Sequence, residues 1–315
     1  MRLSKNCNHK SLMKRLFIFF ASSLIFISND LISQDIDSYS EIGLMLGASY
    51  YIGDLNDQHL RLAQPACAIQ YKTNLNRRFA VRGGISAGEL RGSDKLNNLD
   101  TAKFNRNLHF KSSIYELSAI VEFNFFPYET GNLRYPFTPF IFTGISMYSF
   151  NPQARKFDTE NPFDNDGNES NNEWLDLQPL GTEGQFSSQY PEKDPYQLIQ
   201  FAIPIGVGIK ASLSDNFSLS LEYGLRRTFT DYIDDVGGTY ASPQYLAMEN
   251  LDAANLSDRS NALQDYIISM GTDISTWTGN TNRNRANENL WDDWYYFTGL
   301  TLSYKIYTKN KVCQY

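Results

Sequence analysis

Residues 196–230 alternate between apolar and polar positions twice over. Ile199, Phe201, Ile203, Ile205, Val207, Ile209 and Ala211 share one parity, while Gln200, Pro204, Gly206, Gly208 and Lys210 share the other. A turn at Leu213-Ser214-Asp215-Asn216 follows. Beyond it Phe217, Leu219, Leu221, Tyr223 and Leu225 alternate with Ser218, Ser220, Glu222, Gly224 and Arg226. A period of two sends each set to its own face of a sheet. Long strands with one continuously apolar face and charge on the other suit a transmembrane β-barrel.

The same period predicts six further strands, near 41–52, 64–73, 78–90, 110–126, 137–150 and 294–307. In the first, Ile42, Leu44 and Leu46 lie on one face. In the fourth, Tyr115, Leu117, Val121 and Phe123 oppose Glu116, Ser118, Glu122 and Asn124. In the fifth, Phe140, Phe142, Tyr148 and Phe150 fall together, and in the last Leu300, Leu302 and Tyr304 oppose Thr301, Ser303 and Lys305. Connections alternate in length. Those at 74–77, 127–136 and 213–216 are short, and those at 53–63, 91–109, 151–195 and 231–293 are long. Outer-membrane barrels sort their loops in this way, with short periplasmic turns and long extracellular loops. The expectation is an all-β, eight-stranded antiparallel outer-membrane β-barrel with both chain ends in the periplasm. Within the longest loop, Ile267, Ile268 and Met270 suggest a short helix packed on the barrel mouth.

The polar strand faces carry Arg82, Glu116, Glu122, Glu222, Arg226 and Lys305. Eight strands enclose a space that side chains fill, so these charges are expected to pair in a plugged lumen without an open pore.

The first residues change the picture of where the chain resides. Arg2, Lys5, Lys10, Lys14 and Arg15 precede an apolar run from Leu16 to Ile27, the layout of a secretory signal peptide. The run is too short to span a membrane comfortably. Cleavage is expected between Ser33 and Gln34, leaving residues 34–315 as a single barrel domain in the cell outer membrane. Of 28 basic and 35 acidic residues, the signal removes five and one, so the remainder carries 23 against 34, a net of −11. That sign disfavours nucleic acid as a partner. The 20 Tyr and 21 Phe, many near strand ends, suit interfacial girdles facing outer-membrane lipid. Cys67 and Cys313 remain, and spacing alone does not decide whether they pair.

Little else points to chemistry. His59 and His109 lack metal-ligand spacing, and no nucleophile motif is present. With Asp231 they are placed near the outer rim, where a hydrolase would need them, but ordinary loop imidazoles are the simpler reading. Asp231, Asp234 and Asp235 form a weak candidate for calcium, without the spacing of an EF-hand loop. No cofactor, small-molecule substrate or enzymatic activity is expected.

Several stretches resemble the PorG-type outer-membrane proteins of the Bacteroidota type IX secretion and gliding machinery. They are Glu41-Ile42-Gly43 through Ala48-Ser49-Tyr50-Tyr51-Ile52-Gly53-Asp54-Leu55-Asn56, Tyr115-Glu116-Leu117 through Phe125-Phe126, Pro139-Phe140 with Thr143-Gly144, Gln178-Pro179-Leu180-Gly181-Thr182-Glu183-Gly184-Gln185, Leu256-Ser257-Asp258-Arg259, and Tyr296-Phe297-Thr298-Gly299 through Ser303-Tyr304-Lys305. The most specific is Glu222-Tyr223-Gly224-Leu225-Arg226-Arg227-Thr228-Phe229-Thr230-Asp231-Tyr232-Ile233-Asp234-Asp235-Val236. The resemblance spans about 41–307. It implies a non-enzymatic barrel subunit anchoring a periplasmic ring of lipoprotein and associated subunits. The surfaces available to such a ring are the short turns and the chain ends, with Arg77, Arg78, Lys309 and Lys311 as its expected contacts. A small barrel acting as adhesin or ligand-binding protein through its long loops is the alternative.

Overall fold

The computed structural model describes residues 38–96, 100–156, 173–260, 262, 266, 283–286 and 292–306. The proposed signal segment, the helix expected around Ile267 to Met270, and Lys309, Lys311 and Cys313 lie outside these residues.

Nine strands form one sheet: β1 (Tyr39–Ile52), β2 (Gln64–Asn74), β3 (Phe79–Ser93), β4 (His109–Asn124), β5 (Phe137–Arg155), β6 (Trp174–Asp176), β7 (Ile199–Ser212), β8 (Phe217–Arg227) and β9 (Trp294–Ile306). Every pairing is antiparallel, β4 pairs β5, and β1 pairs β9, so eight strands close into a barrel with β6 as a short addition to β5. All eight wall strands fall where the period of two predicts them. The register can be followed once around the wall: Ser40, Thr73, Val81, Val121, Thr143, Ile205, Leu225, Tyr296 and back to β1 at Tyr50. The return is displaced by ten residues from the start. Such a stagger belongs to a small barrel whose strands tilt by about 40°.

The outward face is a belt of exposed apolar side chains, with Leu46, Ile69, Ile85, Leu117, Ile145 and Phe201 between 54% and 68% exposed. A water-facing monomer surface rarely carries so continuous a patch, so the belt is built for lipid. On β4 it runs from Tyr115 to Phe125, which at that tilt spans about 25 Å, the height of an outer-membrane apolar band.

The aromatic positions of β5 turn inward. Phe140, Phe142, Tyr148 and Phe150 do share a side of β5, but that side is the lumen; Ile141, Ile145 and Met147 face outward. Both parities of β5 are apolar, so alternation alone cannot orient it. The aromatic rings fit inside because β7 places Gly206 and Gly208 opposite Phe142 and Phe140. A methyl group at those glycines would lie 2.3 and 2.5 Å from ring atoms.

The segment 151–195, expected as loop, begins in sheet and returns to it briefly at β6. β5 continues to Arg155 and takes β6 as partner, with Pro152 and Ala154 still buried while Asn151, Gln153 and Arg155 face outward above the belt. Above the mouth, helices α1 (Thr101–Arg106), α2 (Pro243–Glu249) and α3 (Leu251–Ser257) and the turns of 178–193 form a cap.

Candidate functional site: a sealed lumen beneath a folded cap

The lumen is crossed by side chains at three depths. At the periplasmic end Lys72 lies 2.5 Å from Glu41, which also accepts a 2.5 Å hydrogen bond from Thr130 Oγ1. Thr130 belongs to the turn joining β4 to β5, yet its N–H donates to Tyr39 of β1 and its carbonyl accepts from Lys305 of β9. The turn therefore reaches across the mouth to the opposite wall. Gly131 makes this possible, with φ of +86° and no room for a Cβ, which would stand 2.4 Å from the Asp215 carbonyl.

At mid-depth Arg82 pairs with Glu222 at 2.6 Å and Glu122 at 3.1 Å, and Lys210 pairs with Glu122 at 2.7 Å. Arg82 lies over the Phe142 ring and Lys210 over Phe140. Above them Arg226 grips Glu116 through two nitrogens at 3.0 and 3.2 Å, and Tyr295 adds a 2.7 Å hydrogen bond. Among the described residues at these depths, four buried acids (Glu41, Glu116, Glu122, Glu222) face four buried bases (Lys72, Arg82, Lys210, Arg226). Burying unpaired charge is prohibitive, so this balance is a condition of a closed interior.

Five of the six charges read from the sequence thus meet in the lumen. Lys305 does not join them; it caps the Thr130 carbonyl at 2.8 Å and lies over the Tyr39 ring. Glu41, Lys72 and Lys210 complete the network and were missed. Strand parity was the available signal, since Glu41, Lys72 and Lys210 adjoin the outward apolar Ile42, Tyr71 and Ile209. Over this stack Tyr148, Phe150, Tyr196 and Tyr295 form an aromatic stopper. Planar-bilayer recording of the intact protein is expected to give no stepwise conductance; discrete channel openings would show that the packed layers do not seal.

The cap is organised around Arg285. Its guanidinium lies 3.3 Å from Glu183 and 3.4 Å from Asp235, and it donates to the Asp235 carbonyl. Glu183 also accepts from the Gly237 and Gly238 amides, and Asp235 from Thr182 and Tyr196 at 2.5 and 2.7 Å. Burial pushes the Asp235 carboxyl up to about 6, with Arg285 pulling the other way.

The three aspartates of 231–235 go to different places. Asp234 meets Tyr51, Asp235 meets Arg285, and Asp231 lines a hollow of about 370 Å³ with His59, Asp54, Asp57 and Asp292. They do not converge, and among the described residues no three acidic, His or Cys groups could hold a metal together. Burial, then the charges of Asp54 and Asp292, push Asp231 up to about 7. Among the described residues, the hollow's lining contains no Ser or Cys. His59 sits outside the wall, its Nδ1 within 3.2 Å of the Tyr50 and Tyr223 hydroxyls. His109 is elsewhere, its Nε2 accepting from the Arg155 amide. His59 therefore shares the hollow with Asp231, and His109 does not join them. Cys67 is a free thiol on the outward face.

Of the expected ring contacts, Arg77 is 42% exposed and pairs with Glu129 at 3.3 Å, while Arg78 is exposed and donates to the Phe125 carbonyl. Both stand at the periplasmic rim beside the turn that seals it, where the Tyr128 amide donates to the Arg77 carbonyl.

A closed eight-stranded barrel with a lipid-facing belt and a charge-paired lumen defines an outer-membrane-type barrel protein. The chain belongs to the DUF6089 family, a domain of unknown function, whose model matches residues 14–170 and 182–263. No curated protein matches the sequence. Among solved structures the chain is similar to Ail, the attachment invasion locus protein of Yersinia pestis, at 8% identity and a TM-score of 0.36, covering 86% of this chain and 100% of that one. It is also similar to Neisserial surface protein A, at 9% identity and a TM-score of 0.35, covering 85% and 97%. Another is the outer membrane protein OprG of Pseudomonas aeruginosa, at 8% identity and a TM-score of 0.31, covering 86% and 95%.

Proposed function

We propose that this protein is a non-enzymatic, non-conducting outer-membrane anchor for a periplasmic protein assembly, the ring-associated barrel of a type IX secretion and gliding machine. The sealed lumen carries the reading. A barrel packed across at three depths, with the β4–β5 turn drawn over its periplasmic mouth, suits holding a position in the membrane rather than passing a solute. The type IX assignment rests on the sequence resemblance. The periplasmic surface suits an acidic partner: Arg77 and Arg134 lie over the Tyr135 ring of the turn that carries Leu133, which is 97% exposed, and Arg78 is exposed next to Arg77 on the same rim.

Charge reversal at Arg77 and Arg78 together is expected to release the barrel from periplasmic ring proteins in detergent pull-downs, while heat-modifiable gel migration shows the barrel still folded. Undiminished co-purification would remove these arginines from the interface. Exposed Phe186, Tyr245, Met248 and Leu251 on the cap favour a second reading, an adhesin or binding protein acting at the cell surface. Replacing residues 243–257 with a polar linker separates the two, since an anchor keeps its pull-down partners and a surface binder loses adhesion.

A further inference from the structure

At the outer rim one phenol faces two carboxylates. The Tyr51 hydroxyl of β1 lies 2.5 Å from Asp234 Oδ2 and 2.9 Å from Asp293 Oδ1, and all three side chains are buried. The remaining carboxylate oxygens are occupied as acceptors: Asp234 Oδ1 takes the Val236 amide and Asp293 Oδ2 the Ile233 amide, each at 2.9 Å. A phenol carries one hydrogen and can donate to only one of its two neighbours. The second contact is a hydrogen bond only if a carboxyl proton, on Asp234 Oδ2 or Asp293 Oδ1, points back at the phenolic oxygen. With both carboxylates ionised, one close oxygen–oxygen contact would be left without a hydrogen in a buried site.

We propose that Tyr51, Asp234 and Asp293 form a proton-held clasp, tying the 231–236 segment and the approach to β9 to the barrel rim, that loosens the outer cap as the external medium turns alkaline. The clasp joins three chain segments far apart in sequence, and Thr228 Oγ1 holding the Asp293 carbonyl draws the end of β8 into it.

The surroundings favour the protonated form. Asp54 from the first loop and Asp231 from the clasped segment face both carboxyls, Tyr148 of β5 faces Asp293, and Asp292 beside the last strand faces Tyr148 and Asp231. Phe110 of β4 covers the Tyr51 ring edge-on at 5.0 Å. Arg106, whose guanidinium reaches this corner, is committed to Asp94 at 2.7 and 2.8 Å and to the Asp54 carbonyl. Burial, followed by the neighbouring carboxylates, holds the Asp234 and Asp293 carboxyls well above the ordinary range. A carboxyl raised in the folded state keeps a proton that the open segment releases, so the clasp is fully held below about pH 4 and weakens as pH rises. Asp235 and Asp231, raised to about 6 and 7, act in the same direction.

The test is amide hydrogen exchange of 231–236 in the full-length barrel folded in detergent micelles, followed from pH 5 to 9 and corrected for intrinsic exchange. One linked proton predicts an opening constant that rises by up to tenfold per pH unit. Asp234→Asn and Asp293→Asn supply a permanent N–H in place of the proton. Each is expected to flatten the slope while keeping protection at pH 8, whereas Asp231→Asn should leave most of the slope in place. A merely structural role would lower protection at every pH without changing the slope. A flat wild-type profile, or an undiminished slope in both Asn variants, overturns the proposal. The wild-type profile above pH 7, where Asp235 and Asp231 no longer contribute a slope, decides the matter even if a variant fails the heat-modifiability check for folding: a continued rise supports the clasp and a plateau overturns it.

Discussion

Lys210→Met is expected to lower the stability of the folded barrel by about 3–5 kcal/mol, the cost of breaking a buried ion pair from one side. Lys210 and Glu122 are 2% and 1% exposed and lie 2.7 Å apart. Without Lys210, the ion pair left to Glu122 among the described residues is with Arg82, which is already shared with Glu222 at the shorter distance of 2.6 Å. The lumen then holds one more acid than base at a depth that water does not reach. The double variant Lys210→Met with Glu122→Gln restores neutrality and should recover most of the loss, because the Arg82–Glu222 pair survives intact. Urea unfolding in detergent, read by heat-modifiable migration, measures both. A single variant as stable as the wild type would mean that the lumen is wetter than its packing indicates.

Arg285→Ala is expected to disrupt the cap on a similar scale, about 3–5 kcal/mol, and to leave the barrel standing. The guanidinium is the basic partner of Glu183 and Asp235, both fully buried, and it also donates to the Asp235 and Ser257 carbonyls. Its removal strands two acids and two carbonyl oxygens beneath the cap. Rapid proteolysis within 178–260 together with unchanged heat-modifiability would match this expectation. Resistance equal to the wild type would show that the cap holds together without its central cation. Two energetic units are implied, a membrane-embedded barrel and a cap that opens on its own.

The wall was legible in the sequence because alternation, the determinant of strand facing, is local. Ile199 to Ala211 and Phe217 to Leu225 could be placed face by face before any contact was known. The exception is β5, where apolar residues occupy both parities and only Gly206 and Gly208, on another strand, reveal which side has room for rings. Lumen charges were legible in kind but not in partner. Parity places Glu116 and Arg226 inside, yet their meeting depends on the ten-residue stagger around the wall, a sum over eight registers that no single segment carries. The contacts that hold the cap were not legible. Arg285 bonds residues 102 and 50 positions away, and nothing near it in sequence announces those partners.

The ion pairs that cross the lumen also bear on how such a wall comes to be closed. Arg82 of β3 reaches Glu222 of β8, 140 positions later, and Glu116 of β4 reaches Arg226, 110 positions later. These contacts are chords across the circle and do not run along its circumference. In a sheet still open between β1 and β9, the curvature that brings them together is not yet imposed, and each charge lacks the partner that makes its burial tolerable. Zipping β1 to β9 and neutralising the interior are therefore a single event. Assembly of this wall should be cooperative and slow, with no stable half-barrel along the way.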